Sequence, residues 1–296
     1  MKLLTSPLDD GGYQQLICSN KLSHSAKAAL FLRLVKVIGR IALLLAAATL
    51  ASAQQINVLG VTSAGGFEVG LTPSGGISSV FLTGLQGIPP LTQAQAFPLP
   101  LSLAGVQVQV NGFTCPVIAV ADTGAFQQIN FQAVAVQPPG TNNNVVTVIQ
   151  TTNGLPRSAS LNGVGISQSV FFVYPNGNAI IQRPADSSLI TPENPARPGD
   201  ILVLYATGLG QEIPAVPPGE PTPIEPLSRV PNSSLTVGGI SAQLLYVGLT
   251  PGLAGVNQIN FIVPDGVSPG DVDLVFRRAE NPFFDFTSKP AKIRIR

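Results

Sequence analysis

Tryptophan is absent from these 296 residues, histidine occurs once (His24), and cysteine occurs twice (Cys18 and Cys115). With no imidazole after residue 24, the rest of the chain offers neither a Ser-His or Cys-His pair for nucleophilic catalysis nor a histidine-based metal site. Cys115 has no second thiol downstream of Cys18 with which to close a disulfide. Charge is scarce too, at 10% of residues. Six of the sixteen basic side chains (Lys2, Lys21, Lys27, Arg33, Lys36, Arg40) precede residue 41, and the remainder carries ten basic against thirteen acidic groups, a net of −3. Such a body has no basic stripe for nucleic acid or for an anionic membrane surface, so neither partner is expected. No cofactor motif for phosphate or dinucleotide stands out, and no cofactor is expected. Glycine (30), proline (27) and apolar residues (45%) are abundant instead. The first two punctuate β-branched runs, which is the composition of turn-rich β structure.

The apolar run Ile41 to Leu50 is ten residues long, about half of what crossing a bilayer requires. Arg33, Lys36 and Arg40 precede it and Ala51-Ser52-Ala53 follows it. A positive flank, a short apolar core and an A-x-A site make a secretory signal, with cleavage expected between Ala53 and Gln54. The expected location is secreted or cell-surface, with the membrane touched only through this transient segment. The forty residues before the run exceed an ordinary leading region, so translation is expected to start near Leu32 to Val35; the mass of the intact precursor decides this. No cysteine at the cleavage site supports a lipid anchor.

Beyond the signal the sequence is written twice. Gln128-Ile129-Asn130-Phe131 recurs as Gln258-Ile259-Asn260-Phe261, Thr83-Gly84-Leu85 as Thr207-Gly208-Leu209, and Val110-Asn111-Gly112 is answered by Val237-Gly238-Gly239. Matches in one order with slowly drifting offsets indicate a duplicated unit with small insertions. Each copy reads as short strands. In the first these are Phe67 to Leu71, Ser79 to Leu82, Val106 to Val110, Val117 to Val120, Gln128 to Phe131 and Val145 to Gln150. In the second they are Val170 to Tyr174 and Ala179 to Gln182 around a Pro175-Asn176-Gly177-Asn178 turn, then Ile201 to Ala206, Leu235 to Val237, Ala242 to Val247, Gln258 to Val263, Asp271 to Phe276 and Ala291 to Ile295. A proline-rich loop is expected from Gln211 to Pro231. The fold expected is all-β: a signal segment (1–53), then two tandem immunoglobulin-like β-sandwich domains (54–166 and 167–296) related by internal duplication.

The second copy also resembles a known family. Asn194-Pro195-Ala196-Arg197-Pro198-Gly199-Asp200, continuing through Leu204-Tyr205-Ala206-Thr207-Gly208-Leu209-Gly210, is similar to the signature of the Solibacter-type uncharacterised C-terminal domain family. So are Gly248-Leu249 with Pro251-Gly252, Val256-Asn257-Gln258-Ile259-Asn260-Phe261, Val263-Pro264 and Ser268-Pro269-Gly270-Asp271. The resemblance implies a secreted bacterial protein with an Ig-like pair, and it brings no catalytic residue. Family members commonly have a tyrosine where this chain has Asn257.

Several residues are candidate sites. Cys115 could act as a nucleophile or redox thiol only beside a base or cation, and the favoured reading is a small buried filler aligned with Ala242. Asp265, Asp271 and Asp273 bracket a turn and could offer oxygens to calcium, but their spacing fits no EF-hand and turn formation is preferred. Gln128, Asn130, Gln258 and Asn260 alternate with core residues, and their amides are expected to bond to neighbouring strands or loop backbone. Tyr205 and Tyr246 are read as core, and Glu212, Glu220 and Glu225 as solvated loop carboxylates. Phe283, Phe284 and Phe286 flank a hairpin tip at Asn281-Pro282 and are candidate partner contacts, with packing under the sheet as the alternative. The function expected is a non-catalytic extracellular structural or adhesion module, contacting an extracellular protein or polysaccharide through loops or sheet edges. The rival readings are a carbohydrate-binding module and a hydrolase that uses carboxylates alone.

Overall fold

Val106, Val108 and Val110 are completely buried while Gln107 and Gln109 between them are half-exposed, the period of two that a strand shows with one face on a core. The computed structural model describes residues 55–137, 143–281 and 284–296. The expected signal cleavage at Ala51, Ala53 and Gln54, and Phe283, lie outside them. Every regular element among the described residues is a β-strand.

The first copy comprises β1 (Asn57–Ser63), β2 (Ile77–Thr83), β3 (Leu91–Gln93), β4 (Val106–Val110), β5 (Phe113–Cys115), β6 (Val117–Asp122), β7 (Gln127–Gln132), β8 (Asn144–Thr152) and β9 (Leu155–Val164). They form two antiparallel sheets, ordered β1-β2-β7-β6-β3 and β5-β4-β8-β9. Val80, Leu82, Ile129 and Phe131 of one sheet pack on Val106, Val108, Val146 and Val148 of the other.

The second copy comprises β10 (Ile181–Gln182), β11 (Ile201–Ala206), β12 (Ser233–Val237), β13 (Ile240–Ser241), β14 (Gln243–Leu249), β15 (Asn257–Ile262), β16 (Gly270–Asn281), β17 (Phe284–Thr287) and β18 (Ala291–Ile295). Its sheets run β10-β11-β15-β14 and β13-β12-β16-β17, with β18 also on β16. Leu202, Leu204, Ile259 and Phe261 meet Leu235, Val237, Leu274 and Phe276 in a second core. Each such side chain, fully buried, contributes about 1.5–3 kcal/mol relative to exposure.

Strand pairing demonstrates the duplication. Val80 lies opposite Ile129 in the first copy and Leu204 opposite Ile259 in the second, pairs related by the same offsets as the repeated motifs. The two-residue turns agree as well: Asn111 and Gly112 (φ 52° and 83°) join β4 to β5, and Gly238 and Gly239 (φ 58° and 83°) join β12 to β13. Both central residues are left-handed, as the hairpin turn that matches strand twist requires. The chain is therefore two tandem Ig-like sandwiches, and residues 55–296 form one compact unit.

Some expected strands changed. Phe67 to Leu71 makes only isolated bridges at Val69 and Leu71, and the Val170 to Gln182 hairpin is reduced to bridges at Phe171 and Val173 plus the two residues of β10. In the second copy the partner of β16 is broken into β17 and β18 at Ser288-Lys289-Pro290, where the Ser288 hydroxyl accepts the Phe276 N–H at 3.0 Å. In the first copy the corresponding β9 is a single strand that pairs β8 from Leu155 to Leu161, with one register shift before Val164.

Candidate functional site

The repeated Thr-Gly-Leu element builds the boundary between the sandwiches. After β11 the chain turns at Thr207-Gly208, and the buried Thr207 Oγ1 accepts the Ile77 N–H at 2.7 Å while donating to Gly255 O at 2.7 Å. Gly208 has φ 67°, and a Cβ there would collide with Thr72 Cγ2, so no larger residue allows the approach. Elsewhere along the seam, Gln132 Oε1 accepts the Gly219 N–H (2.7 Å), Leu99 N–H donates to Gly219 O (2.8 Å), and Ser63 Oγ donates to Ser169 O (2.5 Å). Glu68 accepts from Ser167 Oγ at 3.0 Å and forms an ion pair with Lys289.

Beside this seam opens a cleft of about 640 Å3, with Pro73, Ser74 and Gly75 on one wall and Gly210, Glu212, Ile213, Pro231 and Arg278 on the other. The Arg278 guanidinium lies against the Cα of Gly210 (φ 114°), where a Cβ would collide with its Cζ. Buried Asn257 braces the turn that carries Glu212: its Oδ1 accepts the Leu209 N–H at 3.3 Å and its Nδ2 donates to Glu212 Oε1 at 3.5 Å. Burial raises the Glu212 carboxyl above its usual range, against the lowering effects of hydrogen bonds and of the Arg278 charge. Burial likewise lowers Arg278, with Glu212 opposing. Glu212 is thus a half-buried carboxylate in a cleft and not the solvated loop residue expected; the turn after Gly210 carries it inward. Glu225 is exposed and Glu220 half-buried.

The other candidate residues lie apart from this cleft. Cys115 is fully buried and its thiol is pushed up to about 11, with desolvation as the main cause, which keeps it protonated at neutral pH. Asp271 pairs with Arg294 (3.2 Å) and Asp273 with Lys292 (2.7 Å) across β16 and β18, while Asp265 stands exposed in the preceding turn. No metal-holding cluster of His, Cys, Asp or Glu occurs among the described residues. Gln128 Nε2 donates to Asn130 Oδ1 (2.8 Å), which also accepts from Ser79 Oγ (2.9 Å). In the second copy the residue opposite Asn260 is Val203, and Asn260 Oδ1 is buried without a hydrogen-bond partner. Tyr246 is core, its hydroxyl 2.7 Å from Leu249 O and its ring beneath Arg229. Tyr205 is instead half-buried on the outer face, donating to Gln182 Oε1 at 3.2 Å. Phe286 packs half-buried on the second core. Phe284 lies in β17. The Asn194 to Asp200 stretch is a staple at the start of β11: Asp200 accepts from Arg183 and from the Arg197 N–H, both at 3.1 Å.

Sequence reasoning missed Arg278 and the role of Asn257. The signal for Asn257 is its position one residue before Gln258, matching that of Gln127 before Gln128: Gln127 Oε1 accepts the Leu85 N–H at 3.4 Å as Asn257 Oδ1 accepts that of Leu209.

No family model and no curated protein matches the chain. Among solved structures, a titin tandem of two Ig domains aligns over 82% of this chain and 99% of its own, at 11% identity and a TM-score of 0.18. A chimeric titin tandem functionalised with an exogenous GRGDS peptide from fibronectin aligns over 81% and 99%, at 11% identity and a TM-score of 0.19. The fold class itself rests on the four sheets and their pairing.

Proposed function

We propose that the chain is a non-catalytic extracellular module for structure or adhesion, presenting loop tips and sheet edges to an extracellular protein or polysaccharide. The seam carries this reading. Thr207, Gln132, Ser63 and the Glu68–Lys289 pair join the sandwiches through polar contacts, several of them buried, so that edges and loops are displayed from one body. The signal pattern ending at Ala53 supports export, and the protonated, buried Cys115 supports a chain without thiol chemistry. The test immobilises the exported protein and challenges it with polysaccharides, envelope extracts and hydrolase substrates. Retention without turnover is expected, with Gln54 as the first residue of the exported chain. Turnover that disappears in Glu212→Gln would replace this reading with a carboxylate hydrolase.

A second reading, a sugar-binding cleft, is favoured by one observation: the half-buried Glu212 and Arg278 face a 640 Å3 opening with polar and apolar walls. Titration with oligosaccharides checks it; binding that is lost in Arg278→Met would support it.

A further inference from the structure

Four Asn-Gly pairs occur in the sequence, beginning at Asn111, Asn153, Asn162 and Asn176. Such a pair is chemically unstable, because glycine has no side chain to keep its backbone nitrogen away from the amide carbon of the preceding asparagine. Attack needs a side chain free to swing into a near-attack geometry and a nitrogen free to receive it. The fold grants those freedoms unequally.

Asn111 is held. Its Nδ2 donates to Ala135 O at 2.8 Å and to Asn144 Oδ1 at 3.0 Å, and its Oδ1 accepts the Val145 N–H at 2.9 Å. In the Asn176 pair both reactants are engaged: Asn176 Oδ1 accepts the Asn178 N–H at 3.1 Å, and the Gly177 N–H donates to Tyr174 O at 2.8 Å. Asn162 is exposed but lies within β9, between Leu161 opposite Val146 and Val164 opposite Asn144, so its backbone is fixed on both sides. Asn153 differs from all three. Asn153 and Gly154 (φ 52° and 77°) are the exposed turn residues between β8 and β9, outside the ladder that ends with Thr152 opposite Leu155. Among the described residues nothing hydrogen-bonds to the Asn153 side chain or to the Gly154 N–H, and a Cβ on Gly154 would meet no atom within 4 Å.

We propose that Asn153-Gly154 is a self-modification site, at which the folded chain converts its own turn residue to aspartate and isoaspartate. The Gly154 nitrogen gives its proton to solvent base and bonds to Asn153 Cγ. The Cγ–Nδ2 bond breaks, and Nδ2 takes a proton from water and leaves as ammonia. Water then adds to one of the two carbonyls of the resulting succinimide ring. Opening on one side gives aspartate; opening on the other gives isoaspartate, with the main chain routed through the side-chain methylene. Either product carries a negative charge where a neutral amide stood. The isoaspartate product also lengthens a turn whose left-handed pair matches the twist of its strands. β9 depends heavily on that turn, since Pro156, Asn162 and Gly163 are poor strand formers. Modification therefore loosens β9 from β8, ageing one edge of the first sandwich and sparing the second.

Peptide mapping by mass spectrometry of the folded protein, sampled over days at mildly alkaline pH, tests the site. Asn153 should convert at least about tenfold faster than Asn111, since freeing Asn111 breaks one or more hydrogen bonds and each is worth roughly a factor of ten in rate. In urea that unfolds the chain, the two should convert at similar rates. Equal rates in the folded protein, or an intact Asn153 while another pair converts, overturns the proposal. The consequence is read by hydrogen exchange. Protection of the β9 amides that pair with β8 should fall in step with isoaspartate content and stay constant in Asn153→Gly, which keeps a left-handed turn but has no amide to lose. Isoaspartate that leaves this protection unchanged overturns the link to β9. The site follows from the turn alone, so either failure leaves the retention experiment above untouched.

Discussion

The two copies hold the same side-chain amide in the same place and use it on carboxylates in opposite conditions. In the first, Gln127 Nε2 donates to Asp122 Oδ2 at 3.1 Å near the surface, and that bond, with the Gly124 N–H, holds Asp122 below its usual range. In the second, Asn257 reaches Glu212 at 3.5 Å inside the cleft, and burial raises the carboxyl despite the amide and Arg278. Hydrogen bonding favours the charged form in both; desolvation decides the sign in only one. The Thr-Gly turns differ in parallel. In the first copy Gly84 receives the entering chain at Gln55 and Ile56, and in the second Gly208 receives the whole preceding sandwich at Thr72 and Pro73. Duplication supplied one turn, and what arrived against it set its role.

The sharpest test of that difference is Thr207→Val, which strands the buried Ile77 N–H and Gly255 O and should lower unfolding free energy by about 2–4 kcal/mol in urea. The matching Thr83→Val removes a half-buried hydroxyl and should stay within about 0.5 kcal/mol. Equal losses would break the comparison. Next comes pH. Glu212 keeps its proton to higher pH when folded than when unfolded, so the folded state binds more protons above pH 4.5 and stability falls as pH rises through the raised folded value. Glu212→Gln should flatten that decline, raising Tm at neutral pH by on the order of 2 °C and changing it little near pH 4. Val203→Thr offers Asn260 the hydroxyl that Ser79 gives Asn130 and should add about 0.5 kcal/mol. Asp122→Asn should give the smallest effect and the opposite sign. The stabilisation by ionised Asp122 is complete above its unfolded value of 3.8 and disappears as pH falls through the lower folded value, so the variant differs from the parent near neutral pH and converges with it in acid.

Much of this architecture was legible. Val106 to Val110 and Ala291 to Ile295 coincide with β4 and β18, because alternation or β-branching with a turn at each end leaves one solution. β9 was not read, since Leu155 to Val164 mixes proline, glycine and serine with few β-formers. Asn153-Gly154, with φ 52° and 77°, was the available sign: a tight hairpin turn directly after Val145 to Gln150 commits the next residues to pair whatever their propensity. Glu212 was misjudged for the converse reason. A proline-rich loop reads as solvated, and nothing local reports that Asn257, Arg278 and a neighbouring sandwich close around it.

The sequence by itself determined the all-β composition, the repeat and its anchors, and the shortage of groups able to do nucleophilic chemistry, because periodicity, turn residues and residue counts are local properties. Only the tertiary structure decided which carboxylate is buried and which glycine admits a second sandwich. Those depend on what distant segments bring within a few ångströms, and desolvation and close packing exist only once they have met.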